Sequence, residues 1–401
     1  MVQQLLDALD TNGRPGEKKD CHAATSNGDP VIECYHVDAR YSSSNEDVGR
    51  ARWGKVLLAF KFSFQAIWCR FRHGVKNLYY VPAFPARAPI YRDWIVLSLC
   101  RPFFRRVIYH WHAIGLGEWL ATQGRPWERW FSKWVYARPD LSVVLRPFNR
   151  TDGEQVASKR VEVVANGIPD PCPDFEKDVL PRRLARVAAR RKILAGQTLS
   201  ELELAAAGPD ADVFHLLFVS LCYSGKGLFD TVDAVALVGQ KLKGSPLQVK
   251  LTVAGEFWLP EERTEFERRI REPDLQDAGR PIVDYRGFVS GLDKRNLFAH
   301  GDCLCFPTCM AESFGLVLVE GMAFGLSLIT TRWRNIPEML PPNPSGIVAP
   351  KSPEQIAAAV VSYMNSDYDP ALRAWFLDHY TDKQFCKNMK RVLASVDEMP
   401  K

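Results

Sequence analysis

The sequence lacks any apolar run approaching the roughly 20 residues needed to cross a bilayer; the nearest, Trp94 to Cys100, has the length of a core segment. Its 10 cysteines, scattered through 401 residues, are too sparse for a disulfide framework. No basic, apolar and small-residue leader opens it at Met1, so a reducing, cytoplasmic compartment is expected. There is no Gly-x-x-x-x-Gly-Lys-Ser/Thr phosphate loop and no Gly-x-Ser-x-Gly elbow, which argues against a kinase and an esterase. A nucleotide-binding domain normally starts on a strand and a glycine-rich turn. This chain opens instead on an apparent helix, Val2–Leu9, and a polar Gly/Ser-rich segment, Thr11 to Asn45, suggesting a shortened N terminus or a start codon placed too late.

What is present is the composition of a globular protein, 46% hydrophobic and 25% charged, in a chain too long for one core. Two domains are expected. Charge is uneven: the whole chain carries +5, yet residues 50–150 hold 18 Lys/Arg against four acids, Asp93, Glu118, Glu128 and Asp140. The same stretch holds eight tryptophans, Trp53, Trp68, Trp94, Trp111, Trp119, Trp127, Trp130 and Trp134. Basic charge interleaved with aromatics suits an anionic, amphipathic partner such as a lipid headgroup or a lipid-linked acceptor, hence a peripheral contact with the inner face of an anionic membrane. Nucleic acid fits the charge too, and so does a solvated basic face over an aromatic core.

Short β-rich runs alternate with segments of helical period, the pattern of parallel sheets covered by helices. Expected strands are Leu78–Pro82, Arg106–Ala113, Leu141–Arg146 and Val161–Ile168, then Val213–Ser220, Val249–Ala254, Ile282–Tyr285, Cys303–Phe306 and Leu328–Thr331. Between the two sets, Asn166-Gly167-Ile168-Pro169, a basic run (Arg182, Arg183, Arg186, Arg190, Arg191, Lys192) and Gly208-Pro209 mark a linker or insertion near 169–212. The basic run reads as an exposed helix. Asp367-Tyr368-Asp369 imitates a metal-binding Asp-x-Asp but sits in a polar loop, where a helix cap explains it. Cys303, Cys305 and Cys309 lack a second group at zinc spacing.

The chemistry concentrates in residues 301–331, GDCLCFPTCMAESFGLVLVEGMAFGLSLITT: a buried strand, a loop with Pro307 and Thr308, a helix from about Phe314, and another strand. Free N–H groups at Phe314, Gly315 and Leu316 are expected to point out of the helix start and favour a phosphate, with Gly315 allowing close approach. Glu312 precedes the helix and Glu320 lies within it, roughly 80° around the wheel, so both can flank one ligand and accept hydrogen bonds from vicinal hydroxyls. Two solvated glutamates share that spacing. A carboxylate pair also suits a glycoside hydrolase, but hydrolases need the two on opposite sides of the scissile bond.

Glu312, Glu320 and Met322-Ala323-Phe324-Gly325 closely resemble the donor-binding signature of family 4 of the retaining GT-B glycosyltransferases. The likeness extends to the strand LLFVS with Lys226-Gly227, to LTVAGE (Leu251 to Glu256), YRGFVS (Tyr285 to Ser290), Ile336-Pro337-Glu338, Ser345-Gly346-Ile347-Val348 and Asn166-Gly167-Ile168-Pro169. It covers most of residues 75–395, strongest over 213–350. The resemblance implies a GT-B fold, two Rossmann-like doubly wound α/β domains facing across a cleft. The domains are 1–168 for the acceptor, a linker or insertion at 169–212, 213–375 for the donor, and 376–401 as a helix returning to the first.

It further implies that Glu312 contacts the transferred sugar, Glu320 the ribose and Lys226 the diphosphate. Phe288 and Val289 would lie near the base, and His112, at the end of Tyr109-His110-Trp111-His112, would approach the donor sugar. His110 and His112 share a strand face, so a metal pair or a structural histidine is an alternative there. The implied activity is transfer of a hexose-type sugar from a nucleoside diphosphate to a hydroxyl acceptor, a glycan, lipid-linked or polysaccharide precursor, with retained anomeric configuration. No metal or other cofactor and no nucleic-acid partner is expected. Two departures stand out: Ser220-Leu221 replaces the usual Gly-Arg, leaving Lys226 as the phosphate cation, and Arg334-Asn335 replaces two glycines. A non-catalytic nucleotide-sugar-binding scaffold of the same fold is the alternative function.

Overall fold

A computed structural model describes residues 32–39, 53–277 and 280–399; the expected helix Val2–Leu9 and most of Thr11 to Asn45 lie outside them. The chain divides into two compact units, Met1–Gly167 with Asp382–Lys401, and Ile168–Thr381.

In the first unit, β1 (Asn77–Tyr80), β2 (Arg106–Trp111), β3 (Leu141–Val144) and β4 (Val161–Val163) pair in that order, all parallel. Every residue of β2 and β3 is buried, as a parallel sheet covered on both faces requires. Alternation along β2 assigns the faces. Val107, Tyr109 and Trp111 pack with Ile90, Trp94 and Leu97 of helix Arg87–Cys100 and with Val135 and Tyr136. Ile108 clusters with Leu141 and Val143 under Phe385, Met389 and Val392, a four-then-three spacing that forms the apolar stripe of helix Asp382–Ala394.

The second unit holds β5 (Val213–Val219), β6 (Gln248–Ala254), a short antiparallel pair, β7 (Gln276–Asp277) with β8 (Arg280–Pro281), then β9 (Val283–Gly287), β10 (Cys303–Phe306), β11 (Ser327–Thr331) and β12 (Ile347–Val348). Six of these form one parallel sheet in the order β12-β11-β10-β5-β6-β9. Leu216 and Phe218 of β5 meet Val232 and Val235 of helix Leu228–Lys241 and Ile356 and Val360 of helix Pro353–Met364. The chain winds outward from β5 through β6 to β9, then returns to β5's other side at β10. Strand order therefore reverses between β5 and β10, where open α/β sheets bind ligands beyond their strand C termini.

The basic run differs from the exposed helix expected of it. Residues 169–212 lie within the second unit, and helix Leu180–Leu194 buries Arg183, Arg186 and Arg190. The reason is Asp302, just before β10 and only 3% exposed at its side chain: it accepts from Arg190 Nη1 at 2.9 Å and Arg186 Nη2 at 3.1 Å. Asp302 also takes the His215 backbone N–H at 2.9 Å, while Arg183 caps the Gly301 and Phe324 carbonyls at 2.8 and 3.0 Å. Burial alone would raise the Asp302 pKa, but the Arg190 and Arg186 guanidiniums hold it well below the ordinary carboxylate value. Its stabilising contribution is thus present at neutral pH and lost as strong acid protonates it. Asp302→Asn, which leaves two buried guanidiniums short of a counter-charge, is expected to cost about 3–5 kcal/mol in urea unfolding of the second unit; a loss within about 0.5 kcal/mol, the size of a neutral surface change, contradicts this account.

Candidate functional site

Two loops meet at the strand-order reversal. After β5 the chain makes a tight turn, Ser224–Lys226, and enters helix Leu228–Lys241 through Gly227 at φ 81°, in the left-handed region. A Cβ on Gly227 would sit 2.5 Å from the Pro307 carbonyl oxygen, so only glycine allows this turn to approach the loop after β10. The contact is stitched by a hydrogen bond from Cys309 N–H to the Gly225 carbonyl at 3.0 Å, with the Thr308 hydroxyl 3.4 Å from the same oxygen. Thr331 of β11 donates from its hydroxyl to the Thr308 carbonyl, and Thr330 to the Phe306 carbonyl at 2.8 Å.

This stitching brings Lys226 and Glu312, 86 positions apart, into direct contact: Lys226 Nζ donates to Glu312 Oε1. Thr308 Oγ1 donates to the same oxygen at 3.1 Å, and Lys226 lies over the Phe306 ring at 5.7 Å. The side chains are 21% and 13% exposed, so the pair is partly screened from water and stronger than a surface bridge. Thr308 had no role in the sequence reading; a hydroxyl four residues before the glutamate is a weak signal.

Glu320 lies one turn into helix Leu316–Ala323 and accepts from Lys294 Nζ at 2.7 Å, a partner from helix Gly291–His300 that no sequence spacing indicated. Phe288 and Val289 follow β9, with the Phe288 ring 70% exposed, and Trp258 is exposed in the loop after β6. All these groups stand beyond the C-terminal ends of parallel strands.

The helix start departs from expectation. Gly315, at φ −78° and ψ 76°, is the centre of an inverse γ-turn in which Leu316 N–H donates to the Phe314 carbonyl at 3.0 Å. Gly315 N–H donates to Met339 Sδ at 3.4 Å, and the Phe314 ring is buried edge-on to Tyr380. The Gly315 and Leu316 amides are therefore hydrogen-bonded within the protein, not free as expected. A Cβ on Gly315 would meet Met339 Sδ at 3.4 Å and Leu318 Cδ1 at 3.3 Å, so the glycine makes room for its own neighbours. Nearby, Arg334 sits at φ 47°, a left-handed position that glycine occupies without strain. Buried Asn335 donates from its amide to the Ser313 carbonyl at 3.3 Å, tying this segment to the Glu312 loop.

His112 lies in the other unit, immediately after β2. Its ring sits 4.1 Å from that of His110, on one face of the strand, and His110 Nδ1 is bonded to the Tyr79 hydroxyl. Neither Nε2 atom has a hydrogen-bond partner among the described residues. Burial pushes the His112 pKa down to about 4 and that of His110 well below its ordinary value, so both are neutral at physiological pH. No third metal-ligating group gathers here among the described residues.

Residues 213–366, which span the six-stranded sheet and both its loops, match the family model of Glycosyl transferases group 1. A curated relative, the gpi3 subunit of phosphatidylinositol N-acetylglucosaminyltransferase from Schizosaccharomyces pombe, is 25% identical over 187 residues, 46% of this chain; the chain spans only 36% of that relative's length. Among solved structures, HepE from Anabaena in complex with UDP-glucose is 17% identical, with a TM-score of 0.58 over 84% of this chain and 82% of that one. A glycosyltransferase from Rickettsia africae is 15% identical, with a TM-score of 0.60 over 88% and 84%. The two α/β units with parallel sheets are the GT-B fold.

Because their folded pKa values are depressed, the two histidines stabilise the first unit above their unfolded pKa, near 6.5, and that contribution drains as pH falls toward 4. The melting temperature of the chain should drop over this window, and His112→Gln should flatten the slope; an unchanged slope would place the proton uptake elsewhere.

Proposed function

We propose that the chain is a retaining glycosyltransferase of family 4 that moves a sugar from a nucleoside diphosphate to a hydroxyl of a glycan, lipid-linked or polysaccharide-precursor acceptor. One observation carries this reading: a cation and a carboxylate, Lys226 and Glu312, are brought together at the strand-order reversal of a group 1 glycosyltransferase domain. HepE, of the same fold, is a protein solved with UDP-glucose, which favours a nucleotide-sugar donor.

In the reaction, the bond from the anomeric carbon to the diphosphate oxygen breaks and one to the acceptor oxygen forms on the same face. The acceptor proton passes to the departing phosphate oxygen. Lys226 stabilises the charge growing on the leaving group, and no metal is required of it. To do so Lys226 must leave Glu312, whose freed carboxylate then accepts from sugar hydroxyls. Glu320 holds the ribose, Phe288 and Val289 flank the base, and neutral His112 orients the sugar as a hydrogen-bond partner. Phe314, Gly315 and Leu316 shape the helix start that borders the bound donor. The first unit serves the acceptor, in a cytoplasmic setting.

Leu221, half-buried where the resemblance leads one to expect a second cation, favours a weaker alternative: a nucleotide-sugar-binding protein without turnover. Release of nucleoside diphosphate from uridine, guanosine and adenosine diphosphate sugars decides between them, after a thermal-shift screen selects the donor. Glu312→Gln should cut transfer by about two orders of magnitude while nucleoside diphosphate affinity stays level or rises, since the ammonium is released; unchanged transfer sinks the assignment. Lys226→Ala should weaken diphosphate binding about tenfold or more, and undiminished affinity would remove Lys226 from the site.

A further inference from the structure

The aromatic-rich stretch of the first unit does not all go into its core. Helix Pro126–Val135 presents Trp127, Trp130 and Trp134 outward, the last two 70% and 63% exposed, at the three-then-four spacing of one helical face. Helix Trp53–Arg72 does the same with Leu57, Phe60, Phe64, Trp68 and Phe71, while Ala59 and Ala66 on its opposite side pack with Leu78, Val96 and Cys100. Helix Arg87–Cys100 lies between these two helices in one layer on the sheet. Trp94 packs edge-on to Trp127, and Phe71 meets Phe103 at 5.9 Å, so ring contacts link each stripe to the chain of that helix and its end.

Single exposed apolar residues are ordinary, but two exposed aromatic stripes on helices of one layer are not. Their charge is one-sided. Helix Trp53–Arg72 contains no acid and carries Lys55, Lys61, Arg70 and Arg72; helix Pro126–Val135 contains only Glu128, which is fully buried and bonded to Tyr91 and Arg87. Lys61 flanks a shallow apolar groove with Phe64, Ile67 and Trp68, and Arg125, Arg129 and Lys133 flank the tryptophans. A second copy of this chain would set positive against positive. Tryptophan rings ringed by cations instead match the headgroup boundary of an anionic bilayer, where the rings bury and the cations meet lipid phosphates.

We propose that these two helices form a platform by which the first unit docks on the surface of an anionic membrane, lying on the bilayer without crossing it. The platform is independent of donor chemistry, so its failure leaves the transfer reading standing.

The test is co-sedimentation of the full chain with vesicles of phosphatidylcholine alone or mixed with phosphatidylglycerol. The chain should bind the anionic vesicles, bind the neutral ones far less, and be released by about 0.5 M salt, where the Debye length falls to a few ångströms. Two double variants, Trp130→Ala with Trp134→Ala and Phe64→Ala with Trp68→Ala, should each weaken binding about tenfold or more while melting temperature and donor binding hold, because these rings lie outside the core. No binding to anionic vesicles, or full binding by both variants, overturns the proposal. So does concentration-dependent self-association by light scattering that the tryptophan variant abolishes without any vesicle binding by the parent chain; that result assigns the face to a second copy.

Discussion

The missing Cβ of Gly227 is the constraint on which the arrangement of Lys226 and Glu312 rests. Without it the turn after β5 could not lie against the Pro307 carbonyl, the Gly225 carbonyl could not accept from the Cys309 N–H, and Lys226 would not reach Glu312. The sheet supplies the opportunity, because β5 and β10 are neighbours whose chains depart in opposite directions. The glycine converts adjacency of strands into adjacency of charges.

Behind that arrangement stands a second, buried electrostatic one. Asp302 opens β10 at the end of the sheet opposite the loops and gathers Arg186 and Arg190 from the helical stretch before β5. One carboxylate thus anchors the start of the strand whose far end delivers Glu312. Arg373 repeats the device, bonding Asp170 at 2.7 Å and the Ala323 carbonyl at 2.7 Å, which pins the C-terminal end of the helix carrying Glu320.

Much of this was legible in the sequence where the signal was local. The nine expected strands all occur, because β-branched runs bounded by turn residues specify a buried parallel strand without help from afar. Cys303 and Cys305 are buried in β10, and Asp369 accepts from the Ala371 N–H at 2.9 Å, as a loop-and-cap reading of Asp367-Tyr368-Asp369 required. What escaped was long-range. The basic run looked solvated because nothing in its own composition reveals Asp302, more than a hundred positions on. Lys294 and Glu320 pair across two helices with no shared periodicity, and the inward turn of the Gly315 and Leu316 amides depends on Met339 and on the ψ angle of one residue. β12 is two residues long and was too short to show as a strand.

The ion pair between Lys226 and Glu312 has a consequence for selectivity. Lys226 is already neutralised by Glu312, so an incoming anion competes with a carboxylate in place. On the proposed function, a bare nucleotide that captures Lys226 would strand Glu312 as a half-buried charge with Thr308 as its remaining partner among the described residues, whereas a ligand bearing both phosphate and sugar would satisfy each member separately. Such a pair would, on that function, favour the intact donor over the spent nucleotide and dispose the site to shed product once the sugar has gone.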